Sequence, residues 1–155
     1  MKKFIEIVDF WMDNRKNWFK VTPEFDNLCK EKFLKYFSDY KNFKVNIKSS
    51  REVLGKIILL DQISRNVFRN SEKAYEYDKE VKYISLNNLY LSNELDGWEK
   101  IFFLMPLKHS EDLIDQEYNV KLWKDIIKNT FSCNLILLYK KNLKTSKEHC
   151  KIIKK

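Results

Sequence analysis

The amino-acid sequence predicts an all-α protein, and three observations favour this fold class. Apolar residues recur at helical spacing along nearly the whole chain. Only two Gly and two Pro occur in 155 residues, too few for the many tight turns of an all-β domain. Several apolar segments follow a Ser, Thr or Asp that can cap a helix. Because no linker interrupts the pattern, one domain over residues 1–155 is predicted, with a basic C-terminal tail at 140–155.

The first two helices are predicted from one apolar face and one capping signal. The first face consists of Phe4, Ile7, Val8 and Trp11. The segment Thr22-Pro23-Glu24 combines a capping hydroxyl, a Pro at the first helical position and an acid near the positive end of the dipole. It predicts a second helix whose inner face includes Phe25, Leu28, Cys29, Phe33, Tyr36 and Phe37.

The next two helices are predicted from serine caps. Ser49 and Glu52 form a capping-box pattern, and the helix that follows runs into the segment 59–69. Ser71 is predicted to cap a fourth helix that passes through Asp78 and ends near Leu89.

The sequence pattern of the C-terminal half predicts three or four more helices. Asp96 is expected to cap a fifth that ends at Pro106, since proline disrupts a helix interior. Ser110 is expected to cap a sixth, whose inner face includes Leu113, Val120, Trp123 and Ile127. The apolar run 135–138 is compatible with a helix or a strand. A weak terminal helix is predicted over residues 147–155. Seven or eight antiparallel helices are therefore expected.

The charge distribution argues against nucleic acid as the main partner. The formal net charge is +8, but residues 140–155 hold seven Lys and one Glu, a local +6. Residues 1–139 then carry 23 basic and 21 acidic residues, a local +2. The excess positive charge is therefore concentrated in the tail rather than spread over the domain, and nucleic-acid binding is not expected.

Three further classes of protein or site are not expected. No apolar run approaches the roughly 20 residues of a membrane span. The cysteines Cys29, Cys133 and Cys150 are scattered and odd in number, which argues against a disulfide framework and predicts a cytoplasmic protein. No metal-ligand spacing occurs, and no cofactor motif such as a Gly-rich phosphate loop is present.

The segment Leu59–Arg69 carries the strongest chemical signal. Two of the four Arg in the chain, Arg65 and Arg69, lie in these eleven residues, whereas the chain has 26 Lys. Arginine holds carboxylates or phosphates with a planar fork that lysine lacks. Asp61 and Arg65 are four residues apart, the favourable order for a helical ion pair. The segment therefore predicts either a polar lock between helices or a site for an anion.

A second polar cluster covers residues 106–116 and includes one of only two His. His109 is expected at a helix N-terminus, where the dipole disfavours a charged imidazole and leaves a neutral base or donor. His109 and Glu111 are only two residues apart, which does not match the spacing of helical metal ligands. The cluster is open to two interpretations, a hydrogen-bonded helix cap or a catalytic or ligand-contacting site.

Together, these clusters resemble a bacterial family known as domain of unknown function family 924. The family signature reads like Leu-Leu-Asp-Gln-Phe-Pro-Arg-Asn-x-Phe-Arg, matched here by Leu59–Arg69 with Ile63 and Ser64 in place of Phe-Pro. A second signature is matched by Pro106, His109, Ser110, Glu111 and Gln116. Weaker similarities include Phe25-Asp26 and the pair Ala74 and Asp78. The resemblance, over about residues 5–153, implies a tetratricopeptide-like antiparallel array of helices.

The resemblance also implies one difference from the family. After a stretch like His149–Ile153 the family pattern continues into a second Arg-Asn element, whereas this sequence stops at Lys155. A site built from both elements is therefore expected to be half present, which argues against an enzymatic role and favours a retained fold with an altered role.

Three functions follow from these patterns. The leading hypothesis is a binding module whose polar pocket takes an anionic small molecule or an acidic peptide end. The candidate ligand-binding residues are Asp61, Gln62, Arg65, Asn66, Arg69, His109, Ser110, Glu111 and Gln116. One alternative is a small-molecule hydrolase or transferase with His109 or Glu111 as general base and Arg65 as an anion clamp. The other is a structural domain that binds a protein partner.

Overall fold

The computed structural model describes residues 2–154, and this part of the chain is helical without a β-strand. Its α-helices are α1 (Lys3–Asp13), α2 (Pro23–Phe33), α3 (Tyr36–Asp39), α4 (Ser50–Ile58), α5 (Ser64–Val67), α6 (Asp78–Asn87), α7 (Leu89–Ser92), α8 (Gly97–His109), α9 (Leu113–Lys128) and α10 (Cys133–Lys154). A π-helical turn, Leu59–Ile63, makes α4 and α5 continuous, and 3₁₀ turns lie at Arg15–Asn17, Tyr40–Asn42 and Glu72–Tyr75. Among the described residues, seven of these helices are longer than four residues, so the predicted all-α array of seven to eight helices is confirmed, while its tetratricopeptide-like packing stays a prediction.

The chain divides into two compact units, Met1–Ile84 and Ser85–Lys155, with the boundary inside α6. The expectation of a single domain over the whole chain stays a prediction. Among the described residues, no helix combines the length and the apolar character needed to cross a bilayer.

In the first unit, α1 packs against α4 through its predicted apolar face. The four residues of that face are all buried: Phe4, Ile7, Val8 and Trp11. The close approach of the two helices depends on Gly55, which faces the backbone of α1. A Cβ at this position would lie 2.0 Å from the carbonyl oxygen of Phe4, so only glycine allows the contact.

Two helix starts in this unit agree with the predicted caps. The Thr22 hydroxyl accepts a hydrogen bond from the Phe25 N–H at 3.3 Å, and α2 begins at Pro23. The Ser49 hydroxyl accepts one from the Glu52 N–H at 3.3 Å. Both caps satisfy a backbone donor that the first turn of a helix leaves without a partner.

The prediction of one continuous helix from Ser71 to about Leu89 is wrong. Ser71 caps only the 3₁₀ turn Glu72–Tyr75, and α6 starts separately at Asp78. The break buries Ala74 and places Asp78 next to Arg65. These tertiary contacts outweigh the local preference for an uninterrupted helix.

In the second unit, α8 passes through Pro106 and ends three residues later at His109, so the predicted stop at Pro106 is wrong. The residues around the proline are almost entirely buried, and their burial offsets the hydrogen bond that proline cannot donate. Asp96 precedes α8, but its side chain makes no cap hydrogen bond. The hydroxyl of Tyr139 accepts the Gly97 N–H instead, at 2.7 Å.

The start and inner face of α9 also differ from the prediction. Asp112, not Ser110, is the cap: its carboxylate accepts the Ile114 N–H at 2.9 Å. Leu113, predicted on the inner face, is exposed. The side chains that α9 buries are Gln116, Asn119 and Trp123, of which only Trp123 was predicted.

The apolar run 135–138 and the segment predicted as a weak terminal helix belong to one helix, α10. The basic segment is therefore helical over 140–154, and Lys155 lies outside the described residues. Helix α10 contacts both α8 and α9. The face that it packs within the unit is marked by its buried residues Tyr139, Asn142, Ser146 and Cys150.

Candidate functional site

The Arg-bearing segment lies where the long helix of the first unit widens into a π turn. Asp61 lies in this turn and is only 1% exposed. Arg65 donates from Nη1 to the backbone oxygen of Asp61, and the same nitrogen is 3.8 Å from Asp61 Oδ1. Gln62 Nε2 donates to Asp61 Oδ2 at 2.7 Å. The predicted pairing of residues 61 and 65 is present, and π turns of this kind are common at functional sites.

Arg65 has a second carboxylate partner that sequence spacing did not indicate. Its Nη1 and Nη2 lie 3.3 Å from Oδ1 and Oδ2 of Asp78, a fork-to-fork contact. The guanidinium also lies 5.3 Å from the centre of the Tyr75 ring. Tyr75 itself is 62% exposed, so one face of its ring is accessible to solvent beside the arginine.

Asn66 and Arg69 converge on a single carboxylate, that of Asp26 in α2. Arg69 donates from Nε to Oδ2 at 2.6 Å and from Nη2 to Oδ1 at 3.1 Å. Asn66 Nδ2 donates to Oδ1 at 2.9 Å. Burial raises the pKa of Asp26, but the hydrogen bonds from Arg69 and Asn66 and the charges of Arg69 and Lys30 outweigh it and hold that pKa below its ordinary value of 3.8. This group joins α2 to α5 as a polar lock.

The two arginines line the same cavity, whose volume is about 730 Å³. Its lining residues are Val21, Arg65, Arg69, Asn70, Ser71, Glu72, Ala74 and Tyr75. Asn70 has a positive φ of 66°, a conformation that asparagine tolerates better than most residues, and it turns the chain at this rim after α5. The volume is within the range of small-molecule sites in proteins.

In the second unit, the polar cluster forms the corner between α8 and α9. His109 is the last residue of α8, so its predicted place at a helix N-terminus is wrong, and the dipole argument for a neutral imidazole no longer applies. Ser110 donates to Asp115 Oδ2 at 2.7 Å and accepts the Asp112 N–H at 3.1 Å. Glu111 is exposed on this corner.

Gln116 closes the end of α8. Its Nε2 points at three backbone oxygens, those of Leu107 at 3.3 Å, Lys108 at 2.8 Å and Ser110. Carbonyl groups in the last turn of a helix lack partners within the helix, and this buried amide supplies one. Gln116 therefore stabilises the corner between α8 and α9.

Asn119, one turn after Gln116, leads to a testable prediction. It is completely buried, and neither its Oδ1 nor its Nδ2 has a hydrogen-bond partner among the described residues. We expect Asn119→Leu to raise the free energy of unfolding by about 1–2 kcal/mol in urea denaturation, because it removes buried polar atoms that have no protein partner. Asn142→Leu is the matched control and should destabilise, since it removes the hydrogen bond from Lys108 Nζ at 3.1 Å. A loss of stability in Asn119→Leu would contradict this prediction.

The structure thus groups the predicted residues within each unit. One cluster in the first unit consists of Asp61, Gln62 and Arg65. A second cluster in the same unit consists of Asn66 and Arg69. Ser110 and Gln116 stabilise the corner in the second unit, where His109 and Glu111 also lie. Sequence reasoning did not include Asp26, Asp78 or Tyr75 in the site. Asp26 and Asp78 were among the weaker similarities to the family, and this is the sequence signal that could have placed them in the site.

Comparisons with known proteins identify the family of the chain and a structure of the same fold. A family model described as a bacterial protein of unknown function, DUF924, matches residues 7–155. The solved structure of a protein of unknown function from Agrobacterium tumefaciens is similar, with a TM-score of 0.79 and 23% sequence identity. The alignment covers 98% of this chain and 82% of that one, and at this identity it shows a shared fold. No curated protein matches the chain. The chain therefore belongs to the bacterial DUF924 family, as its two signature segments predicted.

Proposed function

We propose that the chain is a binding module whose first unit takes an anionic small molecule or an acidic peptide end in the cavity between Arg65 and Arg69. The observation that carries this proposal is that both arginines line one cavity of about 730 Å³. A site of this size with a few convergent polar groups is typical of small-molecule recognition.

The charge balance around the cavity disfavours a highly charged anion, because the acidic Glu72 also lines it. The two guanidinium groups already face three carboxylates, those of Asp26, Asp61 and Asp78. An excess of positive charge therefore does not attract the ligand, and a polyphosphate would meet repulsion. Arg69 uses Nε and Nη2 for Asp26, which leaves Nη1 as a directional donor. A carboxylate matches that donor set best.

The apolar part of the wall indicates that the ligand has an apolar portion as well. Tyr75 is 62% exposed and Val21 is 68% exposed, and both line the cavity. The ring of Tyr75 is held beside Arg65, which gives a flat surface next to a charged one. Aromatic or aliphatic carboxylates and the C-terminal end of a peptide have this combination of groups.

A thermal-shift panel tests the proposal. We would use benzoate, indole-3-acetate, an acidic tripeptide, inorganic phosphate and adenosine monophosphate against the wild type, Tyr75→Ala and Arg65→Lys. A ligand at about 100 times its Kd stabilises by about 2.7 kcal/mol, a rise in Tm of about 5–10 °C for a chain of this size. We expect a carboxylate to give this shift in the wild type, and both variants to reduce it.

Tyr90→Ala is the matched control, because Tyr90 is 61% exposed and lies outside the cavity. It should leave the ligand-induced shift unchanged. If carboxylates fail to stabilise the wild type, or if Arg65→Lys binds them as well as the wild type does, the proposal is wrong. The structural alternative, favoured by the Asp26 lock, predicts that no ligand shifts the Tm while Arg65→Ala lowers it. The enzymatic alternative with His109 or Glu111 stays a prediction.

A further inference from the structure

A second cavity, in the second unit, combines an apolar floor with a basic rim. It lies between α9 and α10, has a volume of about 400 Å³, and is called the lysine groove below. Its lining residues are Glu117, Val120, Lys121, Lys124, Lys147, Cys150 and Lys151. Cys150 is 6% exposed and forms the floor with the half-buried Val120, while the four lysines are exposed at the rim.

The spacing of the lysines along α9 and α10 places them on the faces that border the groove. On α9, Lys121 and Lys124 are three residues apart, and on α10, Lys147 and Lys151 are four apart, so each pair lies on one face of its helix. The Trp123 and Tyr139 rings, 5.1 Å apart, are in contact across the two helices. Since the helices pack along their length, their neighbouring lysine faces border one groove.

The lysines of the rim outnumber the acidic residues of the groove lining. None of the four lysines forms an ion pair with another residue in the part of the chain that the structure describes. Glu117 is the single acidic residue of the lining, so the groove has a local charge of +3 from four Lys and one Glu. This differs from the cavity of the first unit, where carboxylates balance the arginines.

We propose that the lysine groove binds an amphiphilic anion, with an apolar body on Val120 and Cys150 and a carboxylate or sulfonate head among the lysines. The distance along α9 from Glu117 to Lys124 is about 10 Å at 1.5 Å per residue, which suits a medium-length alkyl chain. The lining contains no aromatic side chain on which a nucleobase could stack, so the groove lacks the usual feature of single-strand binding. This site is independent of the function proposed for the first unit.

An NMR titration of the ¹⁵N-labelled full chain with three probes tests the assignment. Decanoate has the apolar chain and the anionic head, decyltrimethylammonium has the chain with a cationic head, and acetate has the head alone. We expect decanoate to shift amide signals of residues 117–124 and 147–151 in a saturable way. Neither other probe should do so at the same concentration, because each lacks one of the two required parts.

Charge removal at the groove provides the second measurement. The double variant Lys124→Gln, Lys147→Gln should raise the Kd for decanoate about fivefold, since each exposed ion pair contributes a few tenths to 1 kcal/mol. The matched control is Lys128→Gln, Lys141→Gln, which removes the same charge outside the lining and should change the Kd by less than about twofold at 0.15 M salt. Equal shifts with the cationic probe would overturn the proposal. So would shifts centred elsewhere, an equal effect of the two double variants, or tighter binding of a single-stranded oligonucleotide at the same amides.

Discussion

Gly55→Ala should lower the free energy of unfolding by about 3 kcal/mol, the largest effect expected for so small a change. The added methyl group would lie 2.0 Å from the carbonyl oxygen of Phe4 and 2.6 Å from its carbonyl carbon. These are backbone atoms of α1, so no side-chain rotation relieves the contact and the two helices must separate. Urea denaturation followed by circular dichroism would measure the loss.

The predicted loss of stability is opposite in sign to the change expected from helix propensity. Alanine is more favourable than glycine in a helix interior by about 1 kcal/mol, so propensity alone predicts stabilisation. Gly97→Ala is the control: its φ of 62° strains alanine, but the nearest atom to the new methyl would be 3.7 Å away. A smaller loss of about 1 kcal/mol is expected there. If Gly55→Ala is as stable as the wild type, the close packing of α1 on α4 is wrong.

Asp26→Ala should destabilise the protein by about 2–3 kcal/mol, because it leaves Arg69 and the buried Asn66 without their shared acceptor. Breaking a fully buried ion pair costs about 3–5 kcal/mol. The loss expected for Asp26→Ala is smaller because Arg69 is partly exposed to solvent. The side chain of Arg69 is 31% exposed and that of Asp26 is 12% exposed. A double-mutant cycle with Arg69→Ala, read by urea denaturation, would measure the coupling of the two residues.

The same carboxylate predicts a dependence of stability on pH. The pKa of Asp26 is lower in the folded protein than its ordinary value of 3.8, so the unfolded chain binds the proton more readily. Its contribution is therefore fully present above about pH 5 and is lost as the pH falls through 3.8 and then through the folded pKa. Asp26→Asn should show a shallower loss of stability over this range than the wild type. Parallel curves for the two proteins would contradict the assignment of this pKa shift.

The two family signatures acquire distinct physical roles from these contacts. In Leu59–Arg69, the polar residues reach acids on other elements, Asp26 in α2 and Asp78 at the start of α6. In 106–116, Gln116 and Ser110 hold the turn between two helices. Both segments therefore join helices within their own unit. Only the first of them borders a cavity that combines arginines with an exposed aromatic ring.

The sequence by itself determined the fold class, the main helices and the caps at Thr22 and Ser49. These depend on periodicity and on hydrogen bonds within four residues, which a linear pattern contains. It also placed Arg65 beside Asp61, because that pair is one helical turn apart. The family resemblance followed from the same local segments.

Tertiary structure alone decided which distant acids hold the arginines and where helices break. Asp26 is 43 residues from Arg69 along the chain, and no local rule relates them. Helix α8 continues past Pro106 because burial outweighs a lost hydrogen bond, and Ser71 starts only a short turn because Asp78 meets Arg65. The cavity and the lysine groove likewise exist only once separate segments pack together, since neither is lined by a single helix face.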